Sequence, residues 1–113
     1  MTGTKTRDNF LATLDLLGFQ REFVFHPTRK WRLDAADPET LVGVEYDGFV
    51  GASQGYANVG HTSINSMKRD AEKANEAALH GWILIRVNAE TVKNGKAWDA
   101  VVRALELRGR QIA

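Results

Sequence analysis

Trp31-Arg-Leu-Asp34-Ala-Ala-Asp37-Pro38-Glu39-Thr40-Leu-Val42-Gly-Val44-Glu45-Tyr46-Asp47-Gly48 is the stretch that sets the fold. Two short alternating arms flank Asp37 to Thr40, and Pro with Asp and Thr makes that centre a turn, so the stretch reads as a β-hairpin. Side chains of a strand switch faces at every residue. Trp31, Leu33 and Ala35 therefore share one face of the first arm, and Arg32 and Asp34 the other. On the second arm Val42, Val44 and Tyr46 oppose Glu45 and Asp47. A connection with an even number of residues pairs positions of unlike parity. Arg32, Asp34, Glu45 and Asp47 then project from one side and the apolar set from the other.

Three carboxylates on one face repel one another, and like charges across strands are destabilising. A bound cation removes the conflict. Asp34 and Glu45 on neighbouring strands place their Cβ atoms roughly 5 to 8 Å apart, so their oxygens can converge on one hard ion at about 2.1 Å, the Mg²⁺ distance. The competing reading of the same residues is a solvated Asp34 and a Glu45 that discourages edge association.

The 113 residues, 43% hydrophobic, suit one compact domain spanning 1–113, with its core over about 7–107. No cysteine is present, which excludes a disulfide framework, a thiolate metal site and a cysteine nucleophile. No apolar run approaches the roughly 20 residues of a membrane span, and the polar N-terminus lacks a signal-peptide core. A soluble, cytoplasmic protein with no membrane partner is expected. The net charge of +1 does not suit indiscriminate coating of nucleic acid. Local basic clusters stand at Arg29, Lys30 and Arg32, at Lys68 and Arg69, and at Arg103, Arg108 and Arg110. The last reads as an ordinary solubilising surface.

Phe10, Leu11, Leu14 and Leu17 recur at helical spacing before Gly18, which predicts a helix over 7–17. Phe19 to His26 is a strand by its aromatic and β-branched content. Residues 49–62, punctuated by glycines, read as a long flexible loop, placed as a flap over the hairpin carboxylates. No Gly-Lys-Ser or Gly-Lys-Thr occurs, so a nucleotide cofactor is not expected. Residues 63–80 are helical by composition, with Ile64, Met67, Ala71, Ala74 and Ala78 as the buried stripe, and Asp70 and Lys73 neighbours on one face. Gly81 caps that helix. Trp82 to Val87 is a strand apolar enough to be covered on both sides, and Ala97 to Leu107 a last helix. Trp31, Trp82 and Trp98 are core candidates, and His26 and His80 read as structural. Tyr56, in the loop, is the better candidate for stacking on a base.

The order α-β-β-β-α-β-α, an α/β fold with a central mixed sheet flanked by helices, resembles the core of the PD-(D/E)XK nuclease superfamily. More narrowly, Phe25-His-Pro-Thr-Arg-Lys-Trp-Arg-Leu-Asp34, Val44-Glu45-Tyr-Asp47-Gly48, Gly60-His61-Thr62 and the block from Asp70 to Trp82 are similar to small phage and bacterial endonuclease-like proteins. These are related to the VRR-NUC and very-short-patch-repair groups. The similarity covers roughly residues 10–105.

This resemblance implies a restriction-endonuclease-like domain that hydrolyses phosphodiester bonds in DNA with Mg²⁺ or Mn²⁺, in the cytoplasm of a bacterial or phage-infected cell. It makes Asp34 and Glu45 metal-binding. The superfamily's lysine two residues after the second acid is replaced here by Asp47. Related branches keep a lysine on the following helix, which points to Lys73; the alternatives are Asp47 as a third ligand with no lysine, or a catalytically silent protein that binds nucleic acid. The chemistry needs charge neutralisation, an activated water and leaving-group stabilisation. Lys73 would orient the water or stabilise the developing charge. His61 suits proton donation, because imidazole titrates near working pH. Lys30, Arg32, Tyr56, Thr62, Lys68 and Arg69 are the nucleic-acid-binding candidates, and Glu22, Asp70 and Asn75 accessory ones. The mild net charge suggests a homodimer assembling the DNA surface.

Overall fold

The computed structural model describes the backbone over residues 2–47 and 56–112 and side chains over 5–47 and 64–112. The elements run α1 (Thr2–Leu16), β1 (Gln20–Val24), β2 (Arg32–Asp37), β3 (Val42–Tyr46), α2 (Tyr56–Leu79), β4 (Ile83–Val87), α3 (Ala89–Lys93) and α4 (Lys96–Leu107). The sheet order is β1-β2-β3-β4. β1 with β2 and β2 with β3 are antiparallel, and β4 joins β3 in parallel. This is an α/β fold with a four-stranded mixed sheet. Among the described residues no helix is long and apolar enough to cross a membrane.

The expected hairpin forms with the expected parity. Its register pairs Ala35 with Val44, Ala36 with Gly43 and Asp37 with Val42, which places the four-residue turn at 38–41. The carboxylate of Asp37 accepts the Glu39 amide at 3.3 Å and the Thr40 hydroxyl at 2.8 Å. Such a side-chain-capped turn is what Asp and Thr are suited to build.

Helices cover both faces of the sheet. Phe10, Leu11 and Leu14 of α1 and Val101 and Leu105 of α4 pack on Ala35, Val42 and Val44. On the other face Phe25, Leu33, Ala36 and Trp82 pack against Ala77 of α2. Leu33 thus lies with Ala36 rather than with Ala35, against the simple alternation expected. The alternation breaks at Asp34, whose register position on β1 is Glu22, a residue with a φ of 49° in the left-handed region. Gly43 makes the crossing possible. A Cβ there would stand 2.5 Å from Cδ1 of Leu33.

Several other expectations are corrected. The first helix begins earlier, at Thr2, and the first strand is confined to 20–24. α3 is an added short helix, capped by Asn88, whose side chain accepts the Thr91 amide. Residues 56–62 are helical rather than loop, since α2 starts at Tyr56 and each further turn costs less than nucleating the first; positions 48–55 lie outside the described residues. The α2 stripe is also different. Ile64 and Met67 are 56% and 66% exposed, Ala71 and Ala78 are exposed, and Ala77 is buried, with Lys73, Ala74 and Glu76 half-buried. A small residue at 77 fits the bulky Trp82 and Phe25, and the rotation that puts Ala77 inward also carries Lys73 towards the sheet.

Of the C-terminal arginines, Arg103 stays on the exposed surface as expected, whereas Arg108 and Arg110 are structural pins. Arg108 donates to the carbonyls of Thr40 at 3.1 Å and Gly81 at 2.6 Å. Arg110 donates to Asp37 at 3.0 Å and to the Leu17 carbonyl at 2.6 Å. Backbone carbonyls left over at turns and helix ends accept these guanidinium donors, a use that spacing in the sequence does not reveal.

Candidate active site

The β2–β3 ladder stops pairing at Ala35 and Val44, and from there two acidic side chains take over. Glu45 Oε2 accepts the backbone N–H of Asp34 at 2.9 Å. Asp34 Oδ2 accepts the backbone N–H of Tyr46 at 2.7 Å. Each acid satisfies an amide of the opposite strand where the strands part. These charge-assisted bonds hold both carboxylates without using their second oxygens.

The second oxygens meet cations from two different helices. Glu45 Oε1 lies 2.8 Å from Lys73 Nζ of α2, and both side chains are less than one-fifth exposed. Asp34 Oδ1 lies 3.8 Å from a guanidinium nitrogen of Arg7 on α1, with Asp34 24% exposed. Two carboxylates and two cations therefore close the gap between β2 and β3 with no net charge. Arg7 also lies 6.0 Å from the centroid of the Tyr46 ring. The Tyr46 hydroxyl is buried with no hydrogen-bond partner among the described residues. Burial raises the pKa of its phenol, an effect that Arg7 partly offsets.

Sequence reasoning placed Asp34, Glu45 and Lys73 in one site, and in the structure Glu45 touches both of the others, the backbone N–H of Asp34 and the ammonium of Lys73. It missed Arg7. On a helix read only for its apolar stripe, Arg7 looks like any solvated cation beside Asp8, and only the packing of α1 on the sheet brings it to Asp34.

The remaining candidates are spread around this centre. Glu22 is exposed, at the register position facing Asp34. Asp47, half-buried, gives its backbone N–H to the Val87 carbonyl at 2.7 Å and so ends the β3–β4 pairing. Asp70 faces Arg86 at 4.0 Å rather than joining Lys73. Asn75, Lys30, Arg32 and Lys68 are exposed, as is Arg69, which bonds Ser66 at 3.4 Å. Glu45, on the face assigned to Arg32, is held by Lys73. The side chains of Tyr56, His61 and Thr62 lie outside the described residues. His26 and His80, read as structural, flank Glu76.

Asp34 and Glu45 offer the donor type of a hard divalent cation, although their outer oxygens turn to cations on helices of opposite faces, Asp34 to Arg7 of α1 and Glu45 to Lys73 of α2, rather than to one side as the alternation predicted. The donor set is all oxygen, with one oxygen of each acid turned from the backbone, and carboxylates of this kind suit Mg²⁺ or Mn²⁺. The Lys73 ammonium and the Arg7 guanidinium balance the two carboxylate charges that would otherwise balance an ion. No family model, curated protein or solved structure matches the chain, so the chemistry is read from the site itself.

Proposed function

We propose that the protein is a metal-dependent endonuclease that hydrolyses phosphodiester bonds in DNA, on a restriction-endonuclease-like core. The observation that carries this reading is the meeting of Asp34, Glu45 and Lys73 at the point where two paired strands separate. The sheet order, with three antiparallel strands and a fourth parallel to the third, agrees with that core. Bound between Asp34 and Glu45, Mg²⁺ would neutralise phosphate charge and lower the pKa of a coordinated water.

The chain's own residues supply the rest. The strand amides fix both acids in place before substrate arrives, so little reorganisation accompanies reaction. Lys73, released from Glu45 by the incoming charge, holds an ammonium beside the scissile phosphate, where it stabilises the negative charge that develops on its oxygens. Arg7 is placed to do the same on the α1 side or to contact the DNA backbone. Lys30, Arg32, Lys68 and Arg69 extend positive charge away from the site towards the phosphates. A homodimer would double that surface.

The same ion pairs favour a second reading. Lys73 and Arg7 already neutralise both acids, which is the arrangement of a silent nuclease fold that binds nucleic acid without cutting it. Cleavage of supercoiled plasmid and of single-stranded and branched oligonucleotides in Mg²⁺ or Mn²⁺ separates the two. The endonuclease predicts cutting that EDTA abolishes and that Lys73→Ala lowers about 10²- to 10³-fold, the range for losing one preorganised charge donor. Binding with no cutting of any substrate selects the silent protein.

A further inference from the structure

His26 follows β1, Glu76 lies in the last turn of α2, and His80, four residues on, directly follows that helix. The three meet although fifty residues separate His26 from Glu76. His26 Nε2 is 2.8 Å from Glu76 Oε1, His80 Nδ1 is 3.9 Å from the same oxygen, and the two imidazole centroids are 4.8 Å apart. One ligand atom from each residue lies within 4.8 Å of the other two. We propose that His26, Glu76 and His80 form a binding site for a Zn²⁺-class cation, separate from the all-oxygen site at Asp34 and Glu45.

The ligand types set the ion class. Two imidazoles and one carboxylate are a donor set of open zinc sites, with water in the fourth position, whereas Mg²⁺ is served by oxygens. Tetrahedral bonds of about 2.0–2.1 Å require ligand atoms roughly 3.4 Å apart. Glu76 and His80, each about one-third exposed, have the freedom to close that distance on His26, which is only 10% exposed. The Trp31 ring packs edge-on at 5.4 Å and holds the His26 imidazole in place.

Hydrogen bonds fix where the protons stand. His80 Nδ1 lies 2.8 Å from the Glu76 carbonyl, an acceptor only, so Nδ1 carries the proton and Nε2 offers its lone pair. That is the outer-shell bond by which a ligating histidine is oriented. His26 is set the other way. Its Nδ1 accepts the amides of Thr28 at 3.2 Å and Arg29 at 2.9 Å, so its proton sits on Nε2 and points at Glu76. Binding moves that proton from Nε2 to Nδ1, with no net release. Thr28 Oγ1, 3.4 Å from Nδ1, then accepts it, and the two exposed amides turn to water.

Loading the site therefore leaves a signature in the turn after His26, and the test reads it. The full-length protein, stripped of metal, is titrated with ZnCl₂ by calorimetry and with Co²⁺ by visible absorption, in the presence of excess Mg²⁺. One ion per chain is expected, with tetrahedral Co²⁺ bands, and with the Thr28 and Arg29 amide resonances shifting as metal is added. His80→Ala, at an exposed position, and His26→Ala each weaken binding at least about 100-fold, the upper end of losses seen even for outer-shell partners. Asp34→Asn leaves it unchanged. The proposal is overturned by no binding, by binding that Asp34→Asn removes, by wild-type affinity in His80→Ala, or by unmoved Thr28 and Arg29 amides. None of these readouts involves nucleic-acid cleavage, so the result stands apart from the endonuclease reading.

Discussion

The β2–β3 hairpin carries an acid held by a basic side chain at each end, and the two ends use that pairing differently. At the turn, Asp37 is 5% exposed and its oxygens are taken by the Glu39 amide, the Thr40 hydroxyl and Arg110. Arg110 is itself anchored to the Leu17 carbonyl. Every group there has a fixed protein partner. At the open end, Asp34 and Glu45 each commit one oxygen to a strand amide and the other to a cation, Arg7 at 3.8 Å and Lys73 at 2.8 Å, and both acids are less deeply buried than Asp37. The first cluster closes a turn; the second bridges two strands where their backbone pairing has stopped. Residue type alone does not separate a structural carboxylate from a chemical one. The depth of burial and the count of protein partners do: Asp37 is nearly closed off from solvent with three, Asp34 and Glu45 less so with two each.

Substitutions at the two ends should therefore fail in different ways. Asp34→Ala or Glu45→Ala is expected to lower cleavage by at least about 10³-fold, comparable to losing a principal charge-stabilising group. Its cost in stability should be only about 1–2 kcal/mol, for a strand amide left without its acceptor. Single-turnover cleavage alongside urea unfolding measures both. A loss of activity that merely follows a loss of folded protein would erase the distinction.

Asp37→Ala should show the reverse. Removing one member of a buried charged pair leaves Arg110 only the Leu17 carbonyl and takes the acceptor from the Glu39 amide and the Thr40 hydroxyl, and a loss of about 2–4 kcal/mol is expected. Cleavage per folded molecule should stay within about twofold, because no contact links Asp37 to the open end. Unchanged stability would show that Arg110 and the Asp37 turn hold nothing together.

The two ends were also unequally legible in the sequence. Alternation and turn chemistry located the hairpin, its parity and the Asp34–Glu45 pair, since these depend on neighbours two or three residues apart. Lys73 followed from the resemblance and not from periodicity, which put the wrong stripe of α2 against the sheet. The apolar score of Ile64 and Met67 suggested the inward face, but a helix longer than the strands it covers extends past them, and the fit of Ala77 under Trp82 sets the rotation. Arg7, Arg108 and Arg110 could not be read at all. Their partners lie on other elements, and a surface arginine and a pinning arginine are identical in sequence.

Between the two ends stands Gly43, where Leu33 crosses to the α2 face. Gly43→Ala puts a Cβ against the tip of a fully buried leucine, 2.5 Å from its Cδ1. Leu33 must change rotamer in a filled core, at a cost of about 1–3 kcal/mol. Chemical denaturation measures this. A neutral result would mean that the core beneath α2 has room for the leucine to move, and that the break in alternation at Asp34 is not held by packing.

Tyr46 offers the finest test of the open end, because its amide is bound by Asp34 while its hydroxyl has no partner among the described residues. Tyr46→Phe removes a buried polar atom without removing a bond, so stability near neutral pH should rise or stay level, within about 1 kcal/mol. The sign of the pH dependence follows from the phenol. Burial raises its pKa above the ordinary value of 10.0, with Arg7 opposing, so above that pH the unfolded chain gives up a proton that the folded one retains. The unfolded state then binds fewer protons, and stability falls as pH climbs. The wild type should therefore lose ground to Tyr46→Phe above about pH 10 and run parallel to it below. Urea unfolding of both proteins across that range decides the matter: parallel curves throughout would mean that the phenol at the mouth of the site is solvated, and that the open end of the hairpin is wetter than its buried hydroxyl implies.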